Sequence, residues 1–240
     1  MRFKFKALIL CAGLGMRLRP ITQNQPKCLV EIGEKPLLKY WLDHLASIGC
    51  EAALINTHHK ADKLKDYLSK LKYKKMKIYT TYERSLLGTA KTLITNYEFF
   101  KDENTLLMHS DNFSLVNLKD LIKAHLNRVE GTILTMLTFN SVNPSSCGIV
   151  EKNKKGVMIA FHEKKPNPPS NCANGAIYFF SKEFLTWLIK NKKDAVDFSN
   201  DVLPSLSGLT QTWHTELPYI DIGTPESLRE AKLLHNKLFK

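Results

Sequence analysis

The sequence predicts an α/β protein with a mostly parallel, twisted sheet flanked by helices. In its first half, short apolar runs typical of buried strands alternate with stretches whose apolar residues recur at helical spacing. This alternation predicts right-handed crossovers that cover both faces of a parallel sheet with helices. In its second half, short strand-like runs separated by turn residues predict a small β-rich lobe grafted onto that sheet.

The first half is predicted to contain five strands with helices between them. Between residues 36 and 49 the leucines follow helical spacing, and Gly49 is typical of a helix end. The predicted strands are 6–10, 52–56, 76–80, 105–109 and 132–138. The other predicted helices are the lysine-rich run within 60–77 and the segments from about 89 to 96 and from 118 to 128.

The second half is predicted to contain three more strands and two helices. The runs typical of strands are "CGIVE" (147–151), "VMIAFHE" (157–163) and "GAIYFF" (175–180). Helical patterns return at 183–190 and 225–238. In the second of these, Thr224 is expected to cap the helix and Pro225 to occupy its first position.

Composition predicts a reduced, cytoplasmic protein without membrane insertion. The apolar run near the N-terminus is too short for a secretory signal, and no window approaches the roughly 18 apolar residues of a membrane span. The five cysteines are odd in number and widely scattered, which fits neither a disulfide framework nor a structural zinc site.

The formal net charge of +12 raises the question of a polyanionic partner. In the densest basic run, 60–77, Leu64, Leu68 and Leu71 lie at helical spacing, so its lysines are interpreted as the solvated face of a helix. No nucleic-acid partner is therefore expected. A basic nucleic-acid-binding module is the alternative, and it predicts binding that weakens steeply with salt.

The stretch "CAGLGMRLRPITQNQPKCL" (11–29) follows the first predicted strand directly. In an open parallel sheet, ligands bind at the carboxyl ends of the strands, and glycines such as Gly13 and Gly15 let backbone N–H groups approach phosphate oxygens. The stretch lacks the GK[ST] of a Walker A loop, and Leu18 replaces the third glycine of the dinucleotide fingerprint. Two cations, Arg17 and Lys27, suit the charge of a nucleoside triphosphate.

The spacing Gly13-x-Gly15-x-Arg17-Leu18-x-Pro20, then five residues, then Pro26-Lys27 closely resembles the signature of sugar-nucleotide pyrophosphorylases. The resemblance covers nearly the whole chain through "LLGTA" (86–90), "HSDN" (109–112), "CGIVE" (147–151), "HEKKP" (162–166), "ANGAIYFF" (173–180) and "YIDIGTPESL" (219–228). It implies a Rossmann-like nucleotidyltransferase fold in one domain, 1–240. About 1–140 would be the nucleotide-binding half and 141–240 the sugar-binding half.

The resemblance also implies roles for individual residues. The catalytic residues would be Arg17, Lys27, Asp111 and Lys164. The nucleotide would be contacted by Leu10, Ala12, Gly13, Leu14, Gly15, Met16, Arg17, Lys27, Glu83, Gly88 and Thr89. The sugar phosphate would be contacted by Gly148, Glu163, Lys164 and Asn174. Asp111 and Asp221 would bind Mg²⁺, and two carboxylates at the ends of two apolar strands are what this ion needs besides phosphate oxygens and water.

The implied reaction condenses a nucleoside triphosphate with a sugar 1-phosphate and releases pyrophosphate. "LLGTA" and "PKCLVEI" look most like the guanylyl-transferring branch, which favours GTP with a mannose, heptose or amino sugar 1-phosphate. Uridylyl, thymidylyl and cytidylyl transfer stay open. Two residues depart from the family pattern: Met16 replaces a small hydroxyl residue, and Tyr219 replaces a common tryptophan.

Other interpretations also stay open. Asp111 and Asn174 taken singly are typical of turns, Lys164 of a surface, and Asp221 of support for the cap at Thr224. The protein could be a glycosyltransferase in which Ser110-Asp111-Asn112 is a DxD-like metal motif, or a non-catalytic binding subunit. We expect no extension beyond about residue 238, and hence no acetyltransferase-like β-helix domain of the kind that some relatives carry. The oligomeric state is left open, with a homo-oligomer among the options.

Overall fold

The computed structural model describes residues 3–239. Its strands are β1 (Phe5–Leu10), β2 (Glu31–Ile32), β3 (Lys35–Pro36), β4 (Cys50–Thr57), β5 (Lys77–Tyr82), β6 (Thr105–His109), β7 (Asn112–Ser114), β8 (Leu134–Asn140), β9 (Gly148–Lys152), β10 (Met158–Glu163), β11 (Cys172–Phe180), β12 (Thr210–Thr215) and β13 (Tyr219–Asp221). Its α-helices are α1 (Leu37–Ile48), α2 (Ala61–Ser69), α3 (Thr89–Thr95), α4 (Tyr97–Phe100), α5 (Leu118–Leu126), α6 (Lys182–Lys192) and α7 (Pro225–Phe239).

The chain folds into two compact units that are interleaved in sequence. Unit 1 comprises Met1–Leu86, Met108–Leu115 and Pro218–Lys240, and unit 2 comprises Leu87–Leu107 and Val116–Leu217. The predicted α/β class is confirmed, with parallel central strands flanked by helices. The predicted single domain, with halves that meet near residue 140, stays a prediction.

Unit 1 is built on parallel strands with apolar faces. β1 pairs in parallel with β4, and β4 pairs in parallel with β5. Helix α1 buries its leucines and Trp41 on one face and ends at Gly49, whose φ of 108° is a left-handed conformation that glycine adopts without strain. These elements agree with the predicted strands and with the predicted helix over 36–49.

The lysine-rich helix is shorter than its pattern predicts. Leu64 and Leu68 are buried and the lysines of α2 are exposed, as expected, but the helix ends at Ser69. Leu71 therefore lies outside the helix, and the chain turns so that Met76 is buried before β5 begins. The leucine spacing was wrong as a guide to length because Leu71, which is only half-buried, follows the end of the helix.

Unit 2 carries mixed pairing around β8. This strand pairs in parallel with β12 and antiparallel with β11, while β9 pairs antiparallel with both β10 and β11. Phe180 and the α6 residue Phe184 are fully buried, with ring centroids 4.5 Å apart. The three strands predicted in the second half are confirmed as β9, β10 and β11.

Both predicted C-terminal features of the chain are present in unit 1. Helix α7 begins at Pro225, and Ser227 donates its backbone N–H to Thr224 Oγ1 at 3.2 Å, as an N-cap requires. None of the helices in the described part of the chain has both the length and the apolar character needed to cross a bilayer.

Candidate active site

The glycine loop begins where β1 ends and is held there by a buried relay. Cys11 donates its backbone N–H to Asn56 Oδ1 at 2.6 Å, and Asn56 Nδ2 donates to Glu83 Oε1 at 2.8 Å. Glu83 is only 4% exposed. The structure therefore gives this carboxylate a role in fixing the start of the loop, and its expected contact with a nucleotide stays a prediction.

The two loop glycines differ in what the protein requires of them. Gly15 has φ of 62° and accepts a 2.6 Å hydrogen bond from Thr22 Oγ1, and a Cβ added to it would lie 3.0 Å from Thr22 Cβ, which is tight. A Cβ at Gly13 would meet nothing within 4 Å, and its φ lies outside the left-handed region. The fold does not need glycine at Gly13, which is consistent with a backbone left bare for a ligand.

The other loop residues expected to contact the nucleotide surround these glycines. Ala12 is buried and Leu10 is half-buried at the end of β1. Leu14 and Met16 expose 36% and 61% of their surface. Two apolar side chains that the fold leaves in solvent are available to a ligand beside the loop.

Lys27 lies between two carboxylates of unit 1. Its Nζ is 2.7 Å from Asp111 Oδ2 and 3.0 Å from Asp221 Oδ1, and its side chain is 13% exposed. Because both contact the same nitrogen, Asp111 Oδ2 and Asp221 Oδ1 cannot lie further apart than the sum of these two distances. The three residues come from distant parts of the sequence, so the cluster is a product of the fold.

Strand pairing places the two aspartates. Ser110 donates both its N–H and its hydroxyl to Leu10 O, at 3.2 and 2.8 Å, which ties the chain just before Asp111 to the end of β1. In β13, Asp221 lies opposite Asn112 of β7, and Ile222 donates its N–H to Asp111 O at 3.0 Å. The family resemblance implies that the two aspartates act together, but no sequence pattern predicts these two strands.

Arg17 completes the charged cluster. Its Nη2 lies 3.9 Å from Asp221 Oδ2, and its side chain is 70% exposed. A Cβ placed on Gly223 would lie 2.8 Å from the same nitrogen. Four of the residues that the sequence predicts to act on a triphosphate are thus gathered in unit 1: Arg17, Lys27, Asp111 and Asp221.

Electrostatics keep Asp111 ionised. Burial raises its pKa, but the charges of Lys27 and His109, together with the hydrogen bond from Lys27, outweigh burial and hold the pKa below its usual value. The ammonium group of Lys27 is itself a cation, and it lies where the carboxylate pair could hold a metal ion. Oxygen donors of this kind suit Mg²⁺, and the two aspartates fit that ion.

The described residues contain no cluster of three or more side chains that could by itself hold a metal ion. A magnesium ion at Asp111 and Asp221 would therefore take its remaining ligands from phosphate oxygens and water, which is usual for this ion. The donor set is consistent with the predicted cofactor, and the cofactor stays a prediction.

In unit 2, Gly88 and Thr89 pack against the protein's own backbone. Gly88 has φ of 92°, and a Cβ there would lie 2.5 Å from Val196 O. Thr89 Oγ1 donates to Asp197 Oδ2 at 3.2 Å and accepts from Phe198 N at 2.7 Å. The close approach expected at Gly88 is made by the segment around Val196, and contact with a nucleotide stays a prediction.

Three of the residues predicted to bind the sugar phosphate lie together in unit 2. Glu163 ends β10 opposite Gly148, and a Cβ on Gly148 would lie 2.7 Å from Glu163 Oε2. Lys164 has φ of 47° and donates its N–H to Cys147 O at 3.0 Å. Its Nζ lies 3.3 Å from Glu163 Oε1, and its side chain is 67% exposed.

The fourth, Asn174, uses its amide within β11. Its Nδ2 donates to the Tyr178 hydroxyl at 2.7 Å, and its Oδ1 accepts from Ala176 N at 2.9 Å. Ala176 has φ of 52°, and the pairing register shifts between Asn174 and Tyr178. These contacts agree with the turn interpretation of Asn174, and its contact with a sugar stays a prediction.

Sequence reasoning missed three residues around these clusters. Asn56 holds the loop, Asp197 accepts from Thr89, and Gly223 adjoins Arg17. Asn56 had a usable signal, because it is a polar residue at the end of the apolar run "AALIN". No local pattern marks Asp197, and the "YIDIGTPESL" motif that contains Gly223 does not reveal its contact with Arg17.

Comparison with known proteins identifies the family of this chain. The model of the family described as nucleotidyl transferase matches residues 6–237. The mannose-1-phosphate guanylyltransferase catalytic subunit beta of Drosophila melanogaster is 30% identical over 96% of this chain and 62% of its own length. A UTP–glucose-1-phosphate uridylyltransferase of Haloferax volcanii is 30% identical over 73% of this chain and 72% of its own length.

Solved structures agree in fold. HddC from Yersinia pseudotuberculosis has a TM-score of 0.79 at 23% identity, covering 96% of this chain and 99% of that one. A UDP-glucose pyrophosphorylase complexed with UDP-glucose has a TM-score of 0.81 at 19% identity, covering 99% of both chains. The chain spans 62% of the length of several curated relatives it matches. It belongs to the nucleotidyl transferase family of sugar-nucleotide pyrophosphorylases.

Proposed function

We propose that the protein is a Mg²⁺-dependent sugar-1-phosphate nucleotidyltransferase. One observation carries the proposal: the Lys27 ammonium lies between the carboxylates of Asp111 and Asp221, and Arg17 of the glycine loop approaches the second of them. Cations and carboxylates of this kind suit a substrate with several phosphates and a divalent ion. The family match supports the same reaction class.

In the proposed reaction, a phosphate oxygen of the sugar 1-phosphate attacks the α-phosphorus of the nucleoside triphosphate. A new P–O bond forms as the bond between the α-phosphorus and the oxygen bridging to the β-phosphate breaks. The electron pair leaves with pyrophosphate, and no proton has to move. Catalysis of such a step depends on alignment and on neutralising charge.

The residues of unit 1 would act on the triphosphate. Lys27 would leave the carboxylate pair and interact with the α-phosphate, and Arg17 would stabilise the departing pyrophosphate. Asp111 and Asp221 would hold Mg²⁺, which when bound supplies positive charge to the phosphate oxygens. The bare backbone at Gly13 would let N–H groups approach those oxygens.

The residues of unit 2 would act on the sugar 1-phosphate. Lys164 would neutralise its phosphate, and Glu163 would accept hydrogen bonds from sugar hydroxyls. Two observations support these roles. Lys164 is held in a left-handed conformation that costs a non-glycine residue free energy, and its side chain is largely exposed beside Glu163. Strain of this kind often marks functional residues.

GTP is the proposed nucleotide, with a mannose, heptose or amino sugar 1-phosphate as its partner. The curated relatives include proteins named mannose-1-phosphate guanylyltransferase and proteins named UTP–glucose-1-phosphate uridylyltransferase, both at about 30% identity. The resemblance of "LLGTA" to the guanylyl-transferring branch favours GTP. Cytoplasmic location and the oligomeric state stay predictions.

Pyrophosphate release tests the proposal. The purified protein would be incubated with GTP, UTP, CTP or dTTP and a panel of sugar 1-phosphates, with Mg²⁺ or with EDTA. We expect the fastest release with GTP and mannose 1-phosphate or a heptose 1-phosphate, and none with EDTA. Release that is fastest with UTP would move the assignment to the uridylyl branch, and no release with any pair would overturn the proposal.

Variants of the charged residues test which of them take part in the reaction. Asp111→Ala and Lys27→Ala should each lower turnover by about 10²- to 10³-fold, the usual cost of one electrostatic contact to a reacting group. Lys70→Ala removes a lysine whose ion pair with Asp66 is exposed and should leave turnover unchanged. Near-normal turnover in either site variant would show that its role is misassigned.

The same assay separates the rival interpretations. A glycosyltransferase would consume a nucleoside diphosphate sugar and release a nucleoside diphosphate without pyrophosphate. A non-catalytic binding subunit would bind a nucleotide with Mg²⁺ and show no turnover.

A further inference from the structure

Gly223 lies directly against the guanidinium of Arg17. The glycine is buried, in the short segment between β13 and α7. A Cβ built on it would lie 2.8 Å from Arg17 Nη2 and 3.1 Å from both Arg17 Cζ and Asp221 Oδ1. These are the three closest atoms, and all belong to charged side chains of the proposed site.

The backbone itself does not demand a glycine here. The φ of Gly223 lies outside the left-handed region, so an alanine could adopt the same conformation. Gly33 of unit 1 is a useful contrast, because its φ is 64° and an added Cβ would collide with the His235 ring. At Gly33 the fold explains the glycine, whereas at Gly223 only the charged cluster does.

Little else in the described contacts fixes Arg17. Its side chain is 70% exposed, and its ion pair with Asp221, at 3.9 Å, is of the kind that contributes little in water. A methyl group at position 223 would occupy the space against which the guanidinium lies. The guanidinium could then swing away at small cost, since it is the far end of a flexible side chain.

We infer that Gly223 is a positioning residue for Arg17: the absence of a side chain keeps open the place where the guanidinium lies beside Asp221. This inference rests on the proposed function. A displacement of about 1 Å in a group that acts on the reacting atoms can lower the rate by about 10²-fold. Gly223→Ala should therefore lower turnover without lowering stability.

A double-mutant cycle tests the link to Arg17. The variants are Gly223→Ala, Arg17→Met and the two combined, with turnover measured as pyrophosphate release and folding measured by thermal unfolding. We expect Gly223→Ala to lower kcat at least tenfold in the wild-type background and less than twofold in the Arg17→Met background. Equal losses in both backgrounds, or no loss in the first, would overturn the inference.

A lysine at position 17 gives a second comparison. Its ammonium is slimmer than a guanidinium and has room beside a methyl group. Gly223→Ala should therefore cost the Arg17→Lys protein less activity than it costs the wild type. An equal cost would show that the methyl group acts elsewhere.

A Cβ at position 223 would also lie 3.1 Å from Asp221 Oδ1, so an effect through Asp221 needs its own control. Binding of Mn²⁺ without nucleotide reports the carboxylate pair and does not depend on Arg17 as a ligand. We expect Gly223→Ala to bind Mn²⁺ within twofold of the wild type. Weaker Mn²⁺ binding would show that the substitution acts through Asp221, contrary to the inference.

Binding of inorganic pyrophosphate separates failure of the inference from failure of the proposed function. If the wild type releases no pyrophosphate with any substrate pair, the proposed function fails. Titration calorimetry with pyrophosphate would then still test whether Gly223 positions Arg17. Gly223→Ala should then weaken pyrophosphate binding at least fivefold, and only when Arg17 is present. Unchanged binding, or a wild type that binds no pyrophosphate, would overturn the inference.

Discussion

Lys27 and Asp111 form a close ion pair, with Nζ 2.7 Å from Oδ2, and the same ammonium reaches Asp221 at 3.0 Å. The lysine therefore occupies the place that a divalent cation would take between two carboxylates. A divalent ion bound at the two aspartates would compete with the Lys27 ammonium for the same oxygens. If Asp111 and Asp221 bind a metal ion, Lys27 must release them, and the released ammonium then becomes available to a phosphate.

This competition predicts that Lys27→Met binds free metal more tightly than the wild type. The variant removes the competing ammonium and leaves the side chains of both aspartates in place. We expect a Kd for Mn²⁺ about tenfold lower in the absence of nucleotide, measured by electron paramagnetic resonance. The rate of pyrophosphate release should fall at the same time, because the phosphate loses its lysine.

The matched control for this experiment is Lys70→Met. It removes the same charge from unit 1, but Lys70 pairs with Asp66 on the surface, at 2.7 Å. Its Kd for Mn²⁺ should stay within twofold of the wild type. Equal or weaker Mn²⁺ binding by Lys27→Met would contradict the competition.

Gly13→Ala should weaken nucleotide binding and leave the fold intact, whereas Gly88→Ala should lower the stability of the fold. An alanine at position 13 meets no neighbour, so the free energy of unfolding should stay the same or rise by up to about 1 kcal/mol while nucleotide binding weakens at least tenfold. An alanine at position 88 must adopt φ of 92° with its Cβ 2.5 Å from Val196 O. It should destabilise the protein by about 1–3 kcal/mol.

Urea unfolding and calorimetric titration with GTP and Mg²⁺ measure the two effects. A Gly13→Ala protein that binds GTP like the wild type would rule out a close backbone approach at this residue. A Gly88→Ala protein as stable as the wild type would show that the segment around Val196 can move to accommodate the added Cβ.

Two substitutions of Lys164 should differ in stability but lose activity equally. Its φ of 47° disfavours every residue with a Cβ, so Lys164→Gly should be about 1 kcal/mol more stable than Lys164→Ala. Both variants lose the ammonium, and both should lower kcat/KM for the sugar 1-phosphate by about 10²-fold. Thermal unfolding and pyrophosphate release measure the pair. The idea is refuted if the alanine variant retains activity or equals the glycine variant in stability.

His125 of α5 predicts an acid-sensitive fold. It is 1% exposed, its Nδ1 lies 2.9 Å from Thr135 Oγ1, and its Nε2 has no hydrogen-bond partner among the described residues. Burial, assisted by the charge of Arg128 and opposed by Glu183, lowers its pKa from 6.5 to about 3. The folded protein therefore keeps His125 neutral at a pH where the unfolded chain binds a proton.

Stability should accordingly be lost as pH falls below 6.5, because protonation favours the unfolded chain. Between pH 7 and pH 5 this one histidine should lower the free energy of unfolding by about 2 kcal/mol. In His125→Gln, which can still hydrogen-bond to Thr135, that part of the pH dependence should disappear. Urea unfolding at the two pH values decides, and identical pH dependence in both proteins would contradict the assignment.

Local patterns indicated many of the longer elements, although the six-residue strand β12 was missed, and the charged residues were suggested by the family resemblance. Apolar periodicity indicated α1 and β1, and the Thr224 cap was visible in the sequence. Strands β7 and β13 were missed because each has only three residues, too few for a periodic signal, and their pairing joins residues more than 100 positions apart. Yet this pairing is what brings Asp111 to Asp221.

The roles of glycines were equally hard to predict. The sequence suggested that Gly13 and Gly88 both allow close approach of a ligand. The structure distinguishes them, since Gly88 accommodates the carbonyl of Val196 while Gly13 faces open space. A glycine in a motif does not reveal whether its neighbour is a ligand or the chain itself, because both demand the same bare backbone.

The interleaving of the two units has a consequence for synthesis on the ribosome. Unit 1 draws on three separate stretches, and Asp221 belongs to the last of them, Pro218–Lys240. A nascent chain that has only reached β12 contains Lys27 and Asp111 but lacks their third partner. The charged cluster is therefore completed only after more than 200 residues have been translated, once β13 has been made.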